Sequence, residues 1–281
     1  MRKLILCFVM LSLSSVAMAY DAEIDGIYYK LSKRKATAEV TWKTKTSKKH
    51  KEKNCSDYSG NLIIPSSINH DGVNYTVTKI GFYAFAYCNN LTSITIPNSV
   101  KFIGNCAFAC CKGLTSVTIP GSVNVINDCT FQGCINLTSV TIEEGVANIA
   151  YMAFEFCTSL TSISLPNSLE FIGSSAFYKC SSLSSIIIPK NLFVIGHDLF
   201  DDCPNLLNVY CYAEKVPGFV NEVFRKDPSD LSYIGYYLFV KSNKDIVLHV
   251  PAKSLEKYKS DSFWSKNIKE IVALTDSDPK P

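Results

Sequence analysis

Histidine is scarce in this sequence. There are 4 in 281 residues, and His50, His70, His197 and His249 stand in four separate segments without metal-ligand spacing. Histidine-centred metal sites depend on short fixed spacings, so no metal or cofactor is expected. The phosphate-cradling loops G-x-x-x-x-G-K-[ST] and G-x-G-x-x-G are missing, and none of the many serines sits in a G-x-S-x-G turn. Catalysis is therefore not expected. His197-Asp198 with Asp201-Asp202 is the nearest thing to a ligand cluster, but it follows no cation-loop spacing and reads as a solvated end of the chain pattern. Long apolar runs are also lacking once the first residues are passed. Leu4 to Val16 follows Arg2 and Lys3 and precedes Ala17-Met18-Ala19, the form of a secretory signal and too short to cross a bilayer. Residues 1–19 are expected to be removed, leaving no transmembrane segment and an extracytoplasmic protein.

Charge is present but uneven. The total of +3 combines +8 over Lys30 to Lys53, +2 in the leading segment and −7 elsewhere, so a basic patch sits on a mildly acidic body. Cysteine is plentiful, with 12 residues. Disulfide frameworks belong mainly to short exported chains that cannot build a core, whereas 281 residues at 47% hydrophobic content can. The cysteines need another explanation.

A spacing of 23 supplies it. Ile-Pro or Leu-Pro pairs end at Pro97, Pro120, Pro166 and Pro189, with Glu143 in the intervening step. Leu91, Leu114, Leu137, Leu160, Leu183 and Leu206 precede that anchor at constant distance, and Phe108, Phe131, Phe154, Phe177 and Phe200 follow it. The unit reads L-x-S-I-x-I-P-x-S-V-x-x-I-G-x-x-A-F-x-x-C-x-x. Alternation over Ser93-Ile94-Thr95-Ile96 predicts a short strand with one apolar face. A unit this short cannot bury that face alone, but stacked copies pair their strands in parallel around a continuous interior. Gly81, Gly104, Asn127, Ala150, Gly173 and Gly196 share one position, where Gly and Asn together suggest a positive φ. Cys88, Cys111, Cys134, Cys157, Cys180 and Cys203 also recur at 23 and are expected to form a reduced, buried ladder. Cys106 and Cys129, on the more variable side, are the best disulfide candidates.

The stretch I-T-I-P-N-S-V-K-F-I-G-N-C-A-F-A-C-C resembles the unit of the BspA-like, treponemal-type leucine-rich repeat proteins of bacterial surfaces, over roughly residues 61–212. Asp25-Gly26-Ile27-Tyr28-Tyr29 and Thr37-Ala38-Glu39-Val40 are similar to the segment that opens such proteins, and Leu248 to Trp264 to one that closes them. The resemblance implies an α/β-type leucine-rich repeat solenoid with secretion or surface display. It also implies binding to proteins or glycans, host matrix glycoproteins among them, and no catalytic residues.

Solenoids need atypical end units to cover their exposed core. Residues 20–90 are expected to form a β-rich N-terminal cap and an extended first repeat, 91–212 the solenoid of 23-residue units, 213–274 a mixed C-terminal cap, and 275–281 a flexible tail. Strands are predicted over Ile27 to Leu31 and Thr37 to Trp42, and a hairpin over Ile68 to Val77 turning at Asp71-Gly72. A strand from Ile246 to Val250, a helix from about Ala252 to Tyr258 and a strand near Ile268 to Ala273 would close the stack.

The strand face away from the core is the best candidate binding surface. It would carry Ser93, Thr95, Ser116, Thr118, Ser139, Thr141, Ser162, Ser164 and Ser185, with Tyr210 and Tyr212 as aromatic anchors at one end. Its expected partner is an extracellular protein or glycoprotein. A candidate anion-binding segment holds Lys43, Lys45, Lys48, Lys49, Lys51 and Lys53, which suits polysaccharide. Nucleic acid is not expected, because no aromatic residues interleave the lysines. The alternative functions are polysaccharide binding or a purely structural role in the envelope.

Overall fold

The computed structural model describes residues 20–42, 58–219, 244–266 and 268–281. The leading segment 1–19, with Cys7, and residues 43–57, with Cys55 and the six lysines of the candidate anion-binding segment, lie outside the described residues.

Two hairpins begin the fold. β1 (Ala22–Ile24) and β2 (Ile27–Ser32) turn at Asp25-Gly26, with φ of 51° and 76°. β3 (Thr37–Thr41) pairs antiparallel with β2. β4 (Ser59–Ile63) follows, and then β5 (Ser67–His70) and β6 (Val73–Ile80) form the expected hairpin at Asp71-Gly72, again with both φ positive. Positive φ at both central residues is the requirement of a type I′ turn, whose twist matches that of the strands it joins.

The repeat then alternates a longer and a shorter strand. The longer ones are β7 (Asn90–Thr95), β9 (Ser116–Ile119), β11 (Ser139–Ile142), β13 (Ser162–Ser164), β15 (Ser185–Ile188) and β17 (Asn208–Cys211). Between them lie β8 (Phe102–Ile103), β10 (Val125–Ile126), β12 (Asn148–Ile149), β14 (Phe171–Ile172), β16 (Val194–Ile195) and β18 (Gly218–Phe219). Longer strands pair in parallel with equivalent residues opposite each other, as Ser116, Ser139 and Ser162 are. The shorter strands make a second parallel sheet, β10-β12-β14-β16-β18, on another side of the coil. Each layer's third side is made of turns. Cys106, Phe108 and Cys110 donate backbone N–H groups to carbonyls of the next layer, while Ala107 and Ala109 close turns within their own.

The apolar positions of the unit are buried inside this coil, Ile163 only partly. Phe85, Phe108, Phe131, Phe154, Phe177 and Phe200 stack face to face, with centroids 5.0 to 5.8 Å apart and planes within 7°. Tyr58 caps this column, its ring 4.7 Å from Phe85 and its hydroxyl donating to Thr41 O. At the other end β19 (Val247–Val250), a short helix α1 (Leu255–Ser260) and β20 (Glu270–Ala273) close the core. Trp264 is wholly buried there against Tyr258 and donates to Pro217 O.

Two expectations are corrected. Gly81, Gly104, Gly173 and Gly196 do not have positive φ. They are glycine because layers touch there. A Cβ on Gly104 would sit 2.5 Å from Phe82 N, and one on Gly196 2.0 Å from Ser174 N. Positive φ falls two and six residues later instead, at Tyr83, Cys106, Cys129, Met152, Ser175 and Asp198, and at Tyr87, Cys110, Gly133, Phe156, Lys179 and Asp202. These are the corners of the turn side, and the interlayer bonds at their amides hold mostly non-glycine residues in that region.

The ladder is the second correction. Cys111, Cys134, Cys157, Cys180 and Cys203 are free and buried, as expected, but Cys88 is disulfide-bonded. The free rungs donate Sγ–H to the carbonyls of Phe85, Phe108, Phe131, Phe154 and Phe177, at 2.9 to 3.3 Å. Cys106 and Cys129 are free thiols.

Candidate functional site

Three polar rows lie side by side at the longer strands: alternation sends two of them out of the core on one face, and the remaining row stands at the residue just before the earlier of these. Thr92, Thr115, Thr138 and Thr161 form the first. Thr115, Thr138 and Thr161 each donate to the carbonyl of the threonine one layer earlier. This row, missed in the sequence reading, is consumed internally. Its signal was visible as a threonine recurring immediately after four of the six repeat leucines, Leu91, Leu114, Leu137 and Leu160.

The other two rows are the predicted ones. Ser93, Ser116, Ser139 and Ser162 stand in register, as do Thr118, Thr141 and Ser164. Ser93 bonds Asn61 Oδ1. The hydroxyls of Ser116, Thr118, Ser139, Thr141, Ser162, Ser164 and Ser185 have no hydrogen-bond partner among the described residues, and most are exposed. Thr95 and Thr118 also border a recess of ≈ 360 Å³, completed by Pro97, Asn98, Pro120 and Glu143.

The ends of this face differ from its middle. Ile63, beside Thr95, is 71% exposed. At the far end Ile187, Tyr210, His249 and Val272 occupy one row across β15, β17, β19 and β20. Tyr210 stacks on His249 at 4.4 Å, and His249 Nε2 meets Asn208 Oδ1 at 3.2 Å. Tyr212 lies just beyond β17 and donates its hydroxyl to Pro279 O. The structure thus brings the predicted serines, threonines and Tyr210 onto one face, with Tyr212 at its edge. Sequence reading missed His249, which lacks any motif and gains its place only through strand pairing.

A second recess, ≈ 380 Å³, lies in the N-terminal cap among Lys30, Lys35, Lys79 and Glu39. The candidate anion-binding lysines lie outside the described residues. The carboxylates near His197 are engaged otherwise: Asp198 with His197, and Asp202 with Tyr178 and Lys179. No helix among the described residues is long and apolar enough to cross a membrane.

On the turn side, Cys106 and Cys129 occupy the same corner of adjacent layers. A hydrogen bond with the Cys129 thiol pulls the Cys106 thiol down to about 6 against the effect of burial, with Tyr83 assisting. Cys129 moves up, first through the same bond.

Residues 78–207 match the BspA type Leucine rich repeat region in six copies. Among solved structures, the chain is similar to a leucine-rich repeat protein from Bacteroides ovatus, at 23% identity over 91% of this chain and 77% of that one, with a TM-score of 0.36. It is similar to a leucine rich cell surface protein from Faecalibacterium prausnitzii, at 19% identity over 94% and 97%, with a TM-score of 0.33. A leucine-rich repeat protein of T. pallidum aligns at 20% identity over 71% and 85%, with a TM-score of 0.41. No curated protein matches the sequence.

Proposed function

We propose, from the premise that this chain carries a BspA-type leucine-rich repeat region, that it is a secreted or cell-surface recognition protein without catalytic activity. Its strand face binds a protein or glycoprotein ligand, with host extracellular matrix glycoproteins as the adhesion target. Protein binding is the general role that goes with the repeat type.

The division of labour among the hydroxyl rows carries it. One threonine row is tied to backbone, while the neighbouring serine and threonine rows are in register and, beyond Ser93, their hydroxyls have no partner among the described residues. Strands repeat at about 4.8 Å, so the free rows offer donors and acceptors at a spacing suited to an extended peptide or glycan laid across them.

A second reading, polysaccharide binding, is favoured by the recess among Lys30, Lys35 and Lys79, close in sequence to the lysine-rich segment. One array of matrix proteins and glycans separates the readings. Retention on a matrix protein is expected, falling at least tenfold in the double variant Thr118→Lys, Thr141→Lys with its circular dichroism unchanged. Retention on glycans alone, untouched by that variant, would favour the second reading. Retention on neither would leave a structural envelope component.

A further inference from the structure

The far end of the strand face is already covered, and the cover is this chain's own tail. After β20, Leu274 N–H donates to Val250 O at 2.8 Å, and then the chain reverses. Thr275 N–H and Oγ1–H both donate to Asp278 Oδ2, at 2.7 and 3.1 Å, and Asp278 N–H returns a bond to Thr275 O. The reversal sends the tail back across the sheet. Asp278 Oδ1 faces His249 Nδ1 at 3.7 Å on β19, and Pro279 O accepts from Tyr212 just past β17. The two partners are well covered, with side chains 16% and 12% exposed for His249 and Asp278.

We propose that Tyr210, Tyr212 and His249 form a recognition site for an extended, aspartate-bearing peptide segment, and that residues 275–281 occupy it as an internal competitor. Each part of the site has a matching role. Tyr210 gives a flat wall that fixes the imidazole by stacking, and Asn208 holds the ring from its other nitrogen. His249 faces the carboxylate, and Tyr212 supplies a directed donor to a backbone carbonyl one residue on. A carboxylate and a carbonyl presented by successive residues are features of a peptide, and a simple anion would use only the first. The tail also adjusts the site electrostatically. Asp278 is held below the usual carboxylate range, first by the Thr275 N–H and further by His249 and Lys280. Tyr210 and Tyr212 are pushed up, first by burial and then by the Asp278 charge.

Two such contacts, one of them at the exposed Tyr212 hydroxyl, are individually weak. A tail tethered a few residues away meets the site at an effective concentration on the order of millimolar, which keeps it seated. A ligand that continues along the hydroxyl rows gains contacts that residues 275–281 do not make, and displaces them.

The proposal deepens the reading of the strand face as a recognition surface, and it is tested with a defined probe so that the two can fail separately. The probe is a fluorescent peptide of residues 274–281. The receptor is the full chain carrying Thr275→Ala and Asp278→Ala, which loosens its own tail. Saturable binding is expected up to millimolar peptide, at least tenfold tighter than to the unaltered chain. Adding His249→Ala to the receptor, or Asp278→Ala to the peptide, should weaken it at least tenfold. Equal binding to the unaltered and loosened chains, indifference to His249, or no binding at all would overturn the proposal. An NMR measurement guards the premise: the His249 ring signals of the full chain must shift on Asp278→Ala, and unmoved signals would also overturn it. Peptide binding alongside an empty matrix array would leave this site standing and remove the matrix ligand.

Discussion

Cys106 and Cys129 look alike in the sequence, 23 residues apart at one position of the unit. Their chemistry separates only when the two thiols meet across a layer. One proton shared between them favours the Cys106 thiolate, near 6, and holds Cys129 protonated. Thiolate is the nucleophile, so alkylation of Cys106 should speed up as pH rises through about 6 and level off above it. Cys110, raised by burial, should lag at pH 7, and the buried ladder should not react without denaturant. Peptide mapping after brief iodoacetamide treatment checks this; equal labelling of Cys106 and Cys110 would contradict it. The spacing identified the pair, but which thiol ionises depends on Tyr83, Asp128 and the orientation of the hydrogen bond, none of which a periodic pattern encodes.

In four of the layers the residue that precedes the turn is a glycine, and it is a contact residue. Its identity was plain in the sequence, and its reason was not, because the atom a side chain would strike belongs to the preceding layer's backbone. Gly196→Ala should therefore cost about 1–3 kcal/mol through overpacking against Ser174. Gly133→Ala tests the other cause. With φ at 71° it should cost about 1–2 kcal/mol through the left-handed backbone. Ala150→Gly, at the position of Gly196 two layers earlier, should stay within about 1 kcal/mol. Urea unfolding of the three variants orders them. The strands were easier to read, since alternation of Ser, Ile and Thr fixes which side chains leave the core. The two-residue strands escaped notice because a pattern of period two needs more than two residues to declare itself.

Across the whole molecule, the period of 23 is what the sequence made legible, because stacking demands the same apolar residue at the same place in every layer. Removing residues 139–161 joins Thr138 to Ser162 in register. Solenoid stability is close to a sum over neighbouring units, so this shorter chain should keep the strand-type circular dichroism and unfold at a lower urea midpoint. Removing residues 139–160 shifts every later side chain by one place, turns the apolar set outward and should abolish the cooperative transition. The path of residues 275–281 was beyond such reading, as it depends on β20 ending beside β19 and on two side chains some 30 and 67 residues away. The cysteine ladder carries a further meaning for assembly. Each free rung donates to a carbonyl 26 residues earlier, and the layer-bridging side-chain bonds of Thr115, Thr138, Thr161, Asn127, Asn136 and Asn205 run the same way. A chain emerging N-terminus first therefore finds each of these acceptors already synthesised, and the coil can lengthen in the order of its own translation.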